Sequence, residues 1–119
     1  MTTANERQVG GQHYKGADYQ HWDWVYDIRM HYLPATASKY ISRNRRKNGK
    51  EDLEKAVHYI DKAEEKQITG AIGTYRHRDF WRFVLENQLT LQEAEICFYL
   101  MEGQWGQARV ATLELIQSV

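Results

Sequence analysis

Residues Lys39 to Lys62 read KYISRNRRKNGKEDLEKAVHYIDK, and this stretch decides the fold. It predicts two helices joined at Asn48-Gly49. In the first, Lys39, Arg43, Arg46 and Lys47 fall within roughly 100° of arc and share one face. Ala37, Tyr40, Ile41 and Asn44 occupy the opposite arc, which can pack. In the second, Leu53, Ala56, Val57, Ile60 and Ala63 recur with helical period and form a core stripe. Asp52, Lys55, Tyr59 and Lys62 flank that stripe. The Asn-Gly corner suits a left-handed helix end followed by a reversal. Such a pair gathers cations, one carboxylate and one phenol, a set suited to a phosphate-bearing ligand.

Working outward, 119 residues predict one domain with a modest core. A 42% hydrophobic and 13% aromatic composition predicts folding rather than extended disorder. A single proline among many helix formers predicts an all-α fold of five or six helices. Lys plus Arg and Asp plus Glu are both 16, so bulk attraction to nucleic acid is not implied. The cations are nonetheless uneven, because Lys39 to Lys50 holds six of them and no acid. A local basic patch on a neutral chain suits a small anion better than a long duplex. The lone Cys97 excludes an intrachain disulfide and reads as a buried thiol. No Cys/His spacing resembles a zinc site, and no metal ligands are assigned. A polar N-terminus and the absence of a long apolar run predict a cytoplasmic protein without a membrane partner.

In chain order, Gly10, Gly11 and Gly16 bracket His13-Tyr14-Lys15 in an expected ordered loop. Gln20 to His31 reads as helix, with Trp22, Val25, Tyr26 and Arg29 on one face and Trp24 and Ile28 on a neighbouring one. Pro34 fits the first turn of the next helix, which is expected to run to about Lys47. Glu51 and Asp52 fall in the first turn of the following helix, where acids favour the dipole. Gly70 and Gly73 break the pattern between 67 and 74. That break divides a ligand-binding half, 1–66, from a packing or oligomerisation half, 67–119, within one compact domain. Asp79 to Asn87 reads as a short aromatic helix. Thr90-Leu91-Gln92-Glu93 is a capping box, opening a helix that stops at Gly103. A last helix spans about Gln104 to Gln117. Its apolar face and that of the preceding helix predict a homo-oligomer.

Catalytic signatures are sparse. Ser38 and Ser42 have no nucleophile elbow, and neither a Walker motif nor a G-x-G-x-x-G loop is present. Asp61, Glu64 and Glu65 read as a solvated face paired with Lys62 and Lys66. The basic run has a solvated-face reading too. Against it, like charges within one turn repel, and a bound anion relieves that cost.

Two blocks resemble a known family. His13-Tyr14-Lys15, then Lys39-Tyr40-Ile41-x-Arg43, Lys47 and Glu51-Asp52-Leu53-x-Lys55-Ala56-x-x-Tyr59-Ile60, are similar to the SaV-like bacteriophage proteins. The resemblance covers about residues 10–66. It implies a phage protein in the bacterial cytoplasm with a nucleotide-type ligand, since some members are described as deoxynucleoside monophosphate kinases. It implies a site made of His13, Tyr14, Lys15, Lys39, Tyr40, Arg43, Lys47, Asp52, Lys55 and Tyr59. If the chain is a kinase, ATP or dATP is the donor and Asp52 or His13 the candidate for proton chemistry. Two other classes stay open. One is a non-catalytic sponge that sequesters a host-defence nucleotide signal. The other is a nucleic-acid- or host-protein-binding module.

Overall fold

Six α-helices and no strand make up the described residues, 3–7 and 17–119, of the computed structural model. They are α1 His21–Ile28, α2 Tyr32–Arg43, α3 Lys50–Glu65, α4 Arg76–Glu86, α5 Leu91–Glu102 and α6 Trp105–Ser118. The expected all-α class is what the structure shows. Helices α2 and α3 form a hairpin, as do α5 and α6. Helix α3 packs on α6 and α2 on α5, so the two hairpins close into a ring of four helices. Helix α1 pairs with α4 beside that ring. No helix among the described residues is long and apolar enough to cross a membrane.

The apolar stripe of α3 is buried at four of the five positions its spacing predicts, Val57 being only half-buried. Leu53, Ala56, Ile60 and Ala63 have no exposed surface. In α1 the structure chooses between the two aromatic faces. Trp24 and Ile28 are fully buried, whereas Trp22 and Tyr26 are exposed. Trp24 stacks on Phe83 with ring centres 4.4 Å apart and planes within 2°, which ties α1 to α4. Most of the apolar side chains of α5 and α6 are spent inside the monomer: Ile96, Cys97, Leu100, Met101, Ala108 and Leu115 all lie in the core. Burial also pushes the Cys97 thiol pKa up, away from thiolate chemistry.

The first basic helix is shorter than its sequence suggests. The α-helix ends at Arg43 and tightens into a 3-10 turn over Asn44–Arg46. The cause lies in the side chains that follow. Asn44 donates from Nδ2 to the Ile41 carbonyl (2.6 Å) and to Glu93 Oε2 (2.8 Å). Arg45 donates from Nε to Glu93 Oε2 (2.8 Å) and from a terminal nitrogen to Glu93 Oε1 (3.0 Å). Arg46 donates to the Asn87 carbonyl (3.3 Å). The turn therefore swings these residues onto the α4–α5 connection. Lys39 and Arg43 keep a common helical face, but Arg46 and Lys47 do not continue it. At the corner, Gly49 has φ +55° and ψ −121°, a conformation that side chains disfavour.

The segment between α3 and α4 is a strap that caps two helices. Ala71 N–H donates to the Met101 carbonyl (2.8 Å), and Ile72 and Gly73 N–H donate to the Ile28 carbonyl (3.2 and 2.9 Å). These are orphan carbonyls at the C-terminal ends of α5 and α1. A Cβ on Gly73 would sit 2.7 Å from the Asp27 carbonyl oxygen and from Ile28 Cα, so glycine permits this approach. Helix α4 starts at Arg76, a turn before the expected Asp79. Its polar first turn reads as loop in sequence, yet both Arg76 and His77 reach Glu102 on α5.

Candidate functional site

The hairpin of α2 and α3 brings six sequence-predicted residues onto one face. Tyr40, half-buried on α2, is the hub. The Arg43 guanidinium carbon lies 4.7 Å from its ring centre, Lys39 Nζ 5.4 Å and Lys55 Nζ 5.6 Å. The Tyr59 ring centre is 5.9 Å away. Residues 39, 40 and 43 meet 52, 55 and 59 because the two helices run antiparallel from the Gly49 corner and each set recurs at helical spacing.

Asp52 anchors the closed end. Its side chain is fully buried, one oxygen (Oδ2) accepts from the Asn48 N–H at 3.2 Å, and the same oxygen lies 3.6 Å from Arg43 Nε. Among the described residues, Asp52 Oδ1 and Arg43 Nε have no hydrogen-bond partner. The contact is thus an ion pair between two groups whose unpartnered atoms are both buried. Having no exposed surface, the carboxylate is poorly placed to take a proton from a ligand. Its chemistry here is to position a cation, together with the first-turn role that its sequence position suggests.

The electrostatics favour an anion. Three cations surround one phenol ring, and their carboxylate partners are buried Asp52 and exposed Glu51, which sits 3.5 Å from Lys55 Nζ. A cation–π contact contributes about 0.5–1 kcal/mol at an exposed site. The three cations exceed their two carboxylate partners by one charge, which an anion at this face balances.

Lys47 lies beyond the 3-10 turn and is exposed, in a backbone (φ −133°, ψ −98°) that breaks its helical register with Arg43. His13, Tyr14 and Lys15 lie outside the described residues. Among the described residues, no group of three or more His, Cys, Asp and Glu is placed to hold a metal ion.

Sequence reasoning missed Tyr32. Its ring centre is 6.2 Å from that of Tyr59, and the neighbouring Tyr32 hydroxyl holds the Tyr59 hydroxyl pKa above the usual tyrosine range. The signal was available, because Tyr32 lies two turns before Tyr40 on the same side of α2. Pro34 lies in the first turn of α2, as its sequence position suggests. Proline occupies the third position of α2, and His31 Nδ1 caps the helix by accepting from Leu33 N–H (3.3 Å). Sequence reasoning also missed His21. It shares a 2.7 Å hydrogen bond with the buried Ser38 Oγ, and it packs edge-on against Trp24 and Phe83. Burial, aided by the charge of Lys39, lowers its pKa to about 3.

Compared with protein-family models, curated proteins and solved structures, the chain matches none of them.

Proposed function

We propose that the α2–α3 face binds a phosphate-bearing small ligand of the nucleotide type. The observation that carries this reading is the gathering of Lys39, Arg43 and Lys55 around Tyr40, with Asp52 buried behind Arg43. Lys39 and Lys55 supply mobile point charges, and Arg43 supplies a planar donor set suited to phosphate oxygens. The resemblance of the two motif blocks to the SaV-like phage proteins supports the same ligand class. Burial of Asp52 favours binding over catalysis at this face, since it removes the nearest carboxylate base from a substrate's reach. The same reading includes self-association, supported by exposed Trp22, Tyr26, Trp81 and Leu85. The test is to incubate the purified chain with nucleotide mixtures and identify retained ligand and products by mass spectrometry. Unchanged retained nucleotide supports the binder; phosphorylated products replace it with a kinase; no retention and no product contradict both.

A further inference from the structure

Away from the α2–α3 face, an open groove of about 650 Å³ runs between α1 and the strap that follows α3. That volume suits a small organic molecule. The local sequence builds it. Trp22, Tyr26 and Arg29 recur at i, i+4 and i+7, so they share one side of α1, away from buried Trp24 and Ile28. The Ile72 and Gly73 N–H groups tie the strap to the Ile28 carbonyl, which brings Thr69 and Ile72 to the same groove. Met30, only 8% exposed, supplies its floor.

The walls are apolar and the fixed charge has one sign. Trp22, Tyr26 and Ile72 are each more than half exposed, so a ligand laid on them removes apolar surface from water. Arg29 lines the groove, and among the described residues no Asp or Glu does. Within the described residues the Arg29 guanidinium and the Thr69 hydroxyl have no partner. His21 also lines the groove, and burial keeps it neutral, with a pKa lowered to about 3. His31 accepts the Leu33 N–H at Nδ1, which leaves Nε2 as its protonated nitrogen and a further donor. One guanidinium with neutral donors beside it matches one carboxylate, which it can hold through two parallel N–H bonds. A second copy of the chain fits less well. Its other exposed apolar stripe, Trp81 and Leu85, is interleaved with exposed Arg78 and Arg82, which would meet Arg29 with like charge.

We propose that this groove binds a small aromatic carboxylic acid in its ionised form, with the carboxylate on Arg29 and the ring against Trp22, Tyr26 and Ile72. The groove shares no residue with the Lys39, Arg43 and Lys55 cluster, so it stands or falls independently of the phosphate reading.

The test is an NMR titration of amide signals in the full chain with 2-naphthoate, its neutral amide 2-naphthamide, and acetate, which lacks the ring. In wild type, naphthoate should shift groove signals and bind about tenfold more tightly than naphthamide. Acetate should bind more weakly than either. Arg29→Gln should lower naphthoate affinity about tenfold and leave naphthamide unchanged. Glutamine suits the φ of +56° at position 29, because Gln67 and Gln88 hold the same left-handed backbone at two other helix ends. Ile72→Ser should weaken naphthoate and naphthamide alike, and Lys39→Ala should affect neither. Equal affinity of wild type for acid and amide overturns the proposal, as does an Arg29→Gln protein that keeps the preference for the acid. Loss of naphthoate binding in Lys39→Ala also overturns it, because the acid then sits on the α2–α3 face. No groove shift at millimolar naphthoate has the same force. So does a wild-type dimer in light scattering that Trp22→Ala converts to monomer, which gives the groove to a second copy.

Discussion

Arg43 Nε lies 3.6 Å from Asp52 Oδ2, and the Asp52 side chain behind it has no exposed surface. A carboxylate so buried depends on its cation. Arg43→Ala should therefore destabilise the chain by about 3 kcal/mol, because it leaves a buried charge uncompensated. Adding Asp52→Asn removes that charge while retaining an acceptor for the Asn48 N–H. The double variant should recover part of the loss in urea unfolding. A double variant no more stable than Arg43→Ala alone would show that the pair does not couple.

A second buried carboxylate holds the hairpins together. Glu93 is 1% exposed and accepts from Asn44 and twice from Arg45, and its Oε1 also caps the Thr90 N–H at 2.9 Å. Truncation to alanine removes the acceptor of the buried Asn44 amide, of the partly exposed Arg45 guanidinium and of the Thr90 N–H at once. Glu93→Ala should cost about 1–3 kcal/mol, chiefly through the buried Asn44 amide, and lower the melting temperature by about 4–12 °C. A shift of only a degree or two would mean that water replaces the carboxylate.

His21 predicts an acid-sensitive fold. Its native pKa is lowered to about 3, chiefly by burial, from an ordinary value near 6.5. Between those values the unfolded chain takes up a proton that the native chain refuses, so stability rises with pH. The contribution is complete above about pH 6.5 and is lost as pH falls toward 3. From pH 7 to pH 5 the loss assigned to His21 should be about 1–2 kcal/mol. Urea titrations of wild type and His21→Gln at both pH values isolate it. An equal pH dependence in the two proteins would remove His21 from the account.

The strap between α3 and α4 should tolerate no side chain at Gly73. Alanine there drives a Cβ into the backbone of Asp27 and Ile28. Gly73→Ala should destabilise by about 1–3 kcal/mol, as overpacking of a close contact does. By contrast, a Cβ on Gly106 in α6 meets nothing within 4 Å, and Gly106→Ala should be neutral or stabilising. Thermal melts of the two variants check the contrast; similar shifts would refute it.

The site was legible in sequence where helical period decides it. Lys39, Tyr40 and Arg43 lie within one turn, and so do Asp52 and Lys55, with Tyr59 one turn further on. Any hairpin of two such helices brings them together. What escaped was non-local. The 3-10 turn at Asn44–Arg46 is set by Glu93, forty-odd residues away, so Arg46 and Lys47 appeared to continue a face that has ended. Glu93 itself was read through the local capping box, which is present, while its second role depends on the packing of α5 against α2. Gly70 and Gly73 announced a break in the chain, but a break and a tight strap carry the same local signal. The choice between the two aromatic faces of α1 likewise rested on a partner, Phe83, that periodicity does not identify.

The central claim is that Lys39 and Lys55 hold the phosphate of a nucleotide-type ligand. Both are partly exposed and outside the core, so their loss should leave the fold intact. The direct measurement is calorimetric titration of deoxyadenosine 5′-monophosphate into wild type and the Lys39→Ala/Lys55→Ala double variant, with melts of each. Charge-assisted contacts contribute about 1.5–3 kcal/mol apiece, so the double variant should bind at least about a hundredfold more weakly. Its melting temperature should match that of wild type. Equal affinity in the two proteins would contradict the account.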